Sequence, residues 1–496
     1  MNIIALFPSC LLLFSSMVSR AEMDLAQLWY EGQHKDDGAS RDYMNRGARF
    51  PWQFRMGDWC DTQGGDNKNQ PFTRKFIARG SSAARLNVTE LVQRDLRAGQ
   101  RYTHLALIPL KGAASFHARE SQQPNSVPLL IIETDGQKKY LNSIADTNLG
   151  RSTHSSQGYK TTLLIRPDIV TLIRFDLSGI KHIKQATLSL KAIKIFGRGV
   201  EVNVFAQCQH PLKPTEVKYG IASQYLNDAG IIEHPDVVMA DDFDVFWWHG
   251  QHWSFKSLKT TVSVVGSDKD NQFEPWRKKA LRVKVGKGTH TGVQMGYVFS
   301  EEGIAEPEEM YFRYYLRFGD DWAPIEGGKL PGFSGTYGKA GWGGRTSDGY
   351  NGWSTRGFYQ LILGKQNPVG HKIPLGNYIY HALQKGKYGD SYYWSEGLNG
   401  LLDKNRWYSI EQRVKLNDPG KPNGILQTWV DGRQAVYVDN MMYRKTDKLM
   451  IERLWMDVYH GGTGRPKQDI HLYIDNVVIA RTYIGPMKQQ PEPEKH

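Results

Sequence analysis

Short runs rich in Val, Ile, Thr, Tyr and Phe recur along the chain, broken at close intervals by Gly, Asn, Asp and Pro. Helical periodicity is almost absent. Apolar and β-branched runs of this length between turn residues read as strands. Tyr102–Leu110, Pro128–Glu133, Val170–Leu177, Ala186–Ile193 and Val200–Ala206 are the clearest in the first half. Leu281–Val285, Met310–Phe318 and Leu426–Val430 follow in the second, and 50 glycines supply the turns. The pattern predicts an all-β chain built of sandwiches. At 496 residues it is too long for one core, so two or three domains are expected.

The ends depart from this pattern. Ile3 to Val18 is an apolar stretch, and Ser19-Arg20-Ala21 places small residues where a signal peptidase cuts. Residues 1–21 therefore read as a signal peptide, and the protein as secreted or periplasmic. No other long apolar run exists, so the mature chain is expected not to span a membrane. Residues 22–71 are irregular and rich in Asp, Gly, Gln and Trp; they read as an arm that packs on the next domain or joins a substrate surface. A β-sandwich module is expected over 72–210 and a second sandwich over 217–484, with a boundary near Pro211–Lys218. Residues 485–496 are mostly Pro, Lys, Glu and Gln and read as a disordered tail.

Composition narrows the partners. Aromatics reach 12%, with 14 Trp and 25 Tyr, which suits pleated cores and sugar-stacking surfaces alike. The formal charge of +12 favours a polyanion. No recognition helix, zinc-finger spacing or Lys/Arg block is present, so nucleic acid is not expected. Cys60 and Cys208 remain after signal cleavage and can pair in an oxidising compartment, but their separation leaves the geometry open. No Cys/His cluster has metal-ligand spacing, and no cofactor is expected.

Candidate chemistry lies in three patches: Gly327-Gly328-Lys329-Leu330-Pro331-Gly332, Gly352-Trp353-Ser354-Thr355-Arg356 and Asn377-Tyr378-Ile379-Tyr380. Ser354 and Arg356 alternate, as do Tyr378 and Tyr380, so each pair leaves one face of its strand. Were the strands neighbours, one face would carry a lysine, a serine, an arginine and two tyrosines. That face is poor to bury and good for an anionic ligand.

These patches, in this order, resemble the catalytic domain of polysaccharide lyase family fourteen, which includes alginate and glucuronan lyases. Val414-Lys415-Leu416-Asn417, Trp429-Val430-Asp431-Gly432, Tyr459-His460-Gly461-Gly462 and Tyr473-Ile474-Asp475-Asn476 extend the likeness over about 217–484. The resemblance implies an antiparallel jelly roll with a groove on its concave sheet. It places the functional residues on Lys329, Arg356, Tyr378 and Tyr380, with Ser354, Trp353 and His460 as substrate contacts. Lys365–Leu375 and Gly338–Gly352 depart from the family pattern. The 72–210 segment resembles disaggregatase-like and alginate-binding sandwich modules, through Arg174-Phe175-Asp176-Leu177-Ser178, Ala186 to Leu190, Phe116 to Glu120 and Pro128 to Ile131. That likeness implies carbohydrate binding, although a spacer would carry the same core.

The reaction implied is β-elimination in an acidic, uronate-containing polysaccharide by a monomeric enzyme. Arg356 and Lys329 would stabilise the charge that builds on the carboxylate when the C5 proton leaves. Tyr378 and Tyr380 would share the acid and base work, with a tyrosine pKa lowered by the neighbouring cations. Lys329 is the alternative base if its own pKa is depressed. The protein's own cations remove the need for a metal. His371 and His381 are weaker candidates. A lectin that kept the basic groove and a hydrolase using Glu326 with Asp348 are the rival readings.

Overall fold

The computed structural model describes residues 29–488 apart from 53–55, 66–69, 152–153, 209–215, 245–251, 256–260 and 277. The signal-peptide reading and residues 489–496 lie outside the described residues.

Strand follows strand, as the apolar runs require. The first half folds into two six-stranded antiparallel sheets among the described residues. In the strand Gln185–Ile195, Ala186, Leu188 and Leu190 point inward while Gln185 and Lys191 face solvent. This two-residue alternation is what one buried sheet face demands. Leu86, Leu105, Phe116, Ile132, Phe175 and Val202 fill the space between the sheets. The one α-helix among the described residues, Thr89–Arg97, closes the sandwich with Leu91 and Val92.

The segment expected as an arm is partly built into this module. Trp59–Cys60 pairs with Ala206–Gln207 as an edge strand, and Cys60 is disulfide-bonded to Cys208 with the Cα atoms 4.9 Å apart. Trp29, Trp52 and Trp59 cover the outer face of one sheet over Ala106, Leu172 and Phe205. Glu31 anchors the start of the arm: its carboxylate pairs with Arg119 and accepts a 2.6 Å bond from the Asp146 backbone N–H.

The second half is a larger sandwich of two eight-stranded antiparallel sheets among the described residues. One runs Val262–Val265, Ala280–Val285, Ile470–Ala480, Glu309–Phe318, Tyr408–Lys415, Gly424–Val430 and Arg433–Met441, with Val237–Asp241 also on Ile470–Ala480. The other runs Ser254–Phe255, Thr291–Val298, Arg453–His460, Gly328–Gly335, Trp353–Tyr359, Ile373–Tyr380 and Asp390–Tyr393, with Leu401–Leu402 on Ile373–Tyr380. Phe312, Tyr314, Leu330, Phe333, Trp353, Ile410 and Leu454 belong to one continuous core between them.

The tail begins later than the composition suggests. The N–H groups of Ile484 and Gly485 donate to buried Glu411 at 2.8 and 2.7 Å, and Met487 is buried with its N–H on the Tyr315 hydroxyl. Residues 485–488 are therefore docked, because the Glu411 carboxylate and an apolar seat hold them.

Candidate active site

The three sequence patches become three adjacent strands. Gly328–Gly335 pairs with Trp353–Tyr359, which pairs with Ile373–Tyr380. Register sets Lys329 opposite Phe358, Arg356 opposite Tyr378, and Ser354 opposite Tyr380. Glycine at 328 is a packing requirement: a Cβ there would sit 2.2 Å from the Tyr459 carbonyl oxygen. Beyond it the pairing slips between Leu330 and Gly332.

Lys329 and Tyr378 line one open cavity of about 410 Å³, with Glu326, Gln360, Tyr393 and Gly461 among its other walls. The Lys329 ammonium lies 3.4 Å from the centre of the Tyr378 ring. Burial pushes the Lys329 pKa down to about 7, Arg356 adds to the fall, and Asp457 opposes it. Such a lysine exchanges its proton near neutrality.

Tyr378 moves the other way. Burial, then the neighbouring Tyr380, raises its pKa, and Arg356 counters only in part. The expectation that the cations would lower it is overturned, because desolvation of a phenolate outweighs their attraction. Tyr378 stays protonated at neutral pH and can give a proton.

The other residues singled out from sequence are less open. Arg356 is 6% exposed; its Nη1 donates to Asp457 at 2.6 Å, its guanidinium stacks 4.5 Å from the Trp455 ring, and its Nε lacks a hydrogen-bond partner. Its charge is therefore held beneath the surface, paired with Asp457. Tyr380 is 1% exposed, and its hydroxyl accepts the Gly344 N–H at 3.0 Å.

Three expected substrate contacts are corrected. Trp353 faces the sandwich core and donates its indole N–H to the Met450 carbonyl, because alternation sends it opposite to Ser354. Ser354 is fully buried and donates to the Gly341 carbonyl at 2.6 Å, so it fastens the Gly338–Gly352 loop. His460 is also buried; its Nε2 accepts the Ile325 N–H, which holds the turn leading to Lys329. Among the weaker candidates, His371 is exposed and His381 pairs with Asp390. The Asp348 carboxylate accepts the N–H groups of Tyr350 and Asn351, which closes its own turn, whereas Glu326 lines the cavity.

Asp457, Trp455 and Arg453 were missed. They alternate with Tyr459 on one strand, and that period of two was the available signal. The Arg453 guanidinium also lies 4.8 Å from the centre of the Trp455 ring and donates to Thr336.

Residues 274–477 match the family model described as polysaccharide lyase 14. The second sandwich carries a polysaccharide lyase 14 domain. Lys329, Arg356, Tyr378, Tyr380 and Asp457 all fall inside the matched stretch of this lyase domain, whereas the arm lies outside it. Several solved structures are similar. A marine PL-14 alginate lyase from Aplysia kurodai is 18% identical, with 54% of this chain and 98% of that one covered and a TM-score of 0.34. An alginate lyase from Chlorella virus is 16% identical, with 50% and 100% covered and a TM-score of 0.38. An endo-β-1,4-glucuronan lyase from the fungus Trichoderma reesei is 15% identical, with 50% and 96% covered and a TM-score of 0.35. No curated protein matches the chain. Among the described residues no helix is long and apolar enough to cross a membrane.

Proposed function

We propose that the protein is an exported lyase that cleaves an acidic, uronate-containing polysaccharide by β-elimination, with Lys329 as base and Tyr378 as acid. The observation that carries this is the pairing of a lysine titrating near 7 with a protonated tyrosine in one open cavity of a polysaccharide lyase domain. Neutral Lys329 takes the C5 proton of a uronate. The C5–H electrons form the C4–C5 double bond as the C4–O4 bond breaks, and the Tyr378 hydroxyl protonates the departing O4. One product carries an unsaturated uronosyl end and the other a new reducing end. The Lys329 ammonium lies over the face of the Tyr378 ring, so the proton gained by the amine returns to the phenolate through solvent in the open cavity. Arg356, held by Asp457, supplies positive potential beneath the substrate carboxylate as charge develops there. The N-terminal sandwich would hold the same polymer. The Cys60–Cys208 bond agrees with an oxidising compartment.

Purified protein incubated with alginate and with glucuronan should yield an ultraviolet-absorbing unsaturated product from at least one. A saturated product would make it a hydrolase, and binding without any product a lectin. Asp457→Asn should shift the acid limb of kcat/KM to lower pH. Asp457 raises the Lys329 pKa, so its loss lets that pKa fall further. The same change leaves Arg356 without its counter-charge and should lower the melting temperature. An unmoved acid limb would detach Lys329 from that titration.

A further inference from the structure

The cavity that holds Lys329 and Tyr378 is not closed by the lyase domain alone. Gly47 and Arg49, from the N-terminal arm, form part of its wall. The arm is seated firmly there. Buried Asn45 and Asn367 exchange amide hydrogen bonds of 2.9 and 3.0 Å, and the Leu363 N–H donates to the Gly47 carbonyl. A Cβ on Gly47 would stand 2.3 Å from the Leu363 carbonyl oxygen, so only glycine permits this approach. Ala48 and Phe50 are buried against Val369, with Ile362, Leu398 and Leu401 beside them. The seat is therefore mainly the 361–370 stretch, which runs into Lys365–Leu375, where the sequence departs from the lyase family pattern.

Arg49 stands between these buried neighbours in the left-handed conformation, at φ 60°, with its N–H on the Arg46 carbonyl. Both flanking side chains point into the interface, and Arg49 is left half-buried at the cavity. Its guanidinium lies 5.9 Å from the centre of the Tyr393 ring. It forms no ion pair with a carboxylate among the described residues. At that distance the guanidinium sits beside the Tyr393 side chain, and its five N–H donors are more than Tyr393 can take, which leaves donors for a carboxylate.

We infer that the substrate groove is composite: Arg49 of the arm and Tyr393 of the lyase domain form a subsite for a uronate other than the one cleaved. The proposal rests on the lyase reading for the direction of the polymer along the groove. Recognition of an anionic sugar by Arg49 is separable from turnover. The subsite binds a carboxylate by charge and a sugar face by stacking on Tyr393. It makes the arm part of the enzyme's polymer-recognition surface.

The test uses the full-length protein as wild type, Arg49→Gln and Arg49→Lys. Affinity electrophoresis is run in gels containing alginate or glucuronan, with hydroxyethyl cellulose as the uncharged control. Arg49→Gln should weaken retention by the acidic polymer about tenfold, the size of one charge-assisted contact at a partly open site. Arg49→Lys should restore part of it, and added salt should narrow the difference. Where product forms, the loss should fall mainly on KM. Melting temperatures should coincide, since the arm is docked through Asn45, Gly47 and Phe50 rather than Arg49. Unchanged retention of Arg49→Gln in both acidic gels, or an equal change with the uncharged polymer, would overturn the subsite. Absence of unsaturated product from the wild type would overturn the lyase reading instead, and the gel result would still judge Arg49.

Discussion

Lys329→Met should lower kcat by at least a hundredfold while leaving the melting temperature near that of the wild type. General bases contribute about 10²–10⁴ in rate, and methionine keeps an unbranched apolar stem of similar reach over the Tyr378 ring. Lys329→Arg makes the test specific. It keeps a positive charge in the cavity, but a guanidinium does not give up its proton in proteins. If Lys329 served only as a cation, the arginine variant would retain much of the activity. If it is the base, both variants fail alike. The pH profile of the wild type supplies the sign. A base works when deprotonated, and burial with Arg356 brings Lys329 down to about 7. kcat/KM should therefore climb as pH rises toward 7 and level off above it. A rate that keeps climbing far into the alkaline range would point to a tyrosinate instead, since burial raises the Tyr378 pKa.

Much of this was legible in the sequence, and the failures have physical reasons. Apolar runs located strands such as Gln185–Ile195, whose first half alternates buried and open positions with a period of two, and Glu309–Phe318, which is buried on both faces from Phe312 onward. The same period should have excluded Trp353 as a partner of Ser354, since adjacent residues on a strand face opposite ways. Burial of Ser354 and His460 was beyond reach, because it depends on where the 338–352 loop and the turn before Lys329 come to lie. Sequence showed that charges stand near Tyr378 but not how far water is excluded, and exclusion decides the direction of its pKa. Arg49 gave no local signal. Its place at the cavity follows from Asn45, Gly47 and Phe50 finding seats on a distant loop, a contact that no strand pattern encodes.

The proton donor offers the second large effect. Tyr378→Phe removes a single hydroxyl, keeps the ring beneath the Lys329 ammonium, and should still lower kcat by about a hundredfold or more, with a much smaller change in KM. The hydroxyl is held protonated by burial, so it can serve as an acid at any pH where Lys329 is neutral. Tyr380→Phe separates the two rings, whose centres lie 5.7 Å apart. The Tyr380 hydroxyl is buried and takes the Gly344 N–H, so its removal strands a backbone donor and loosens the loop that covers Ser354. That variant should lose about 1–3 kcal/mol of stability, and its rate should fall less than that of Tyr378→Phe. Steady-state kinetics on the same polymer, paired with thermal melts, distinguish the cases. A larger rate loss in Tyr380→Phe would transfer the acid role to Tyr380. Wild-type rates in both would remove tyrosine from the proton transfer, and Lys329 would then have to deliver to O4 the proton it takes from C5.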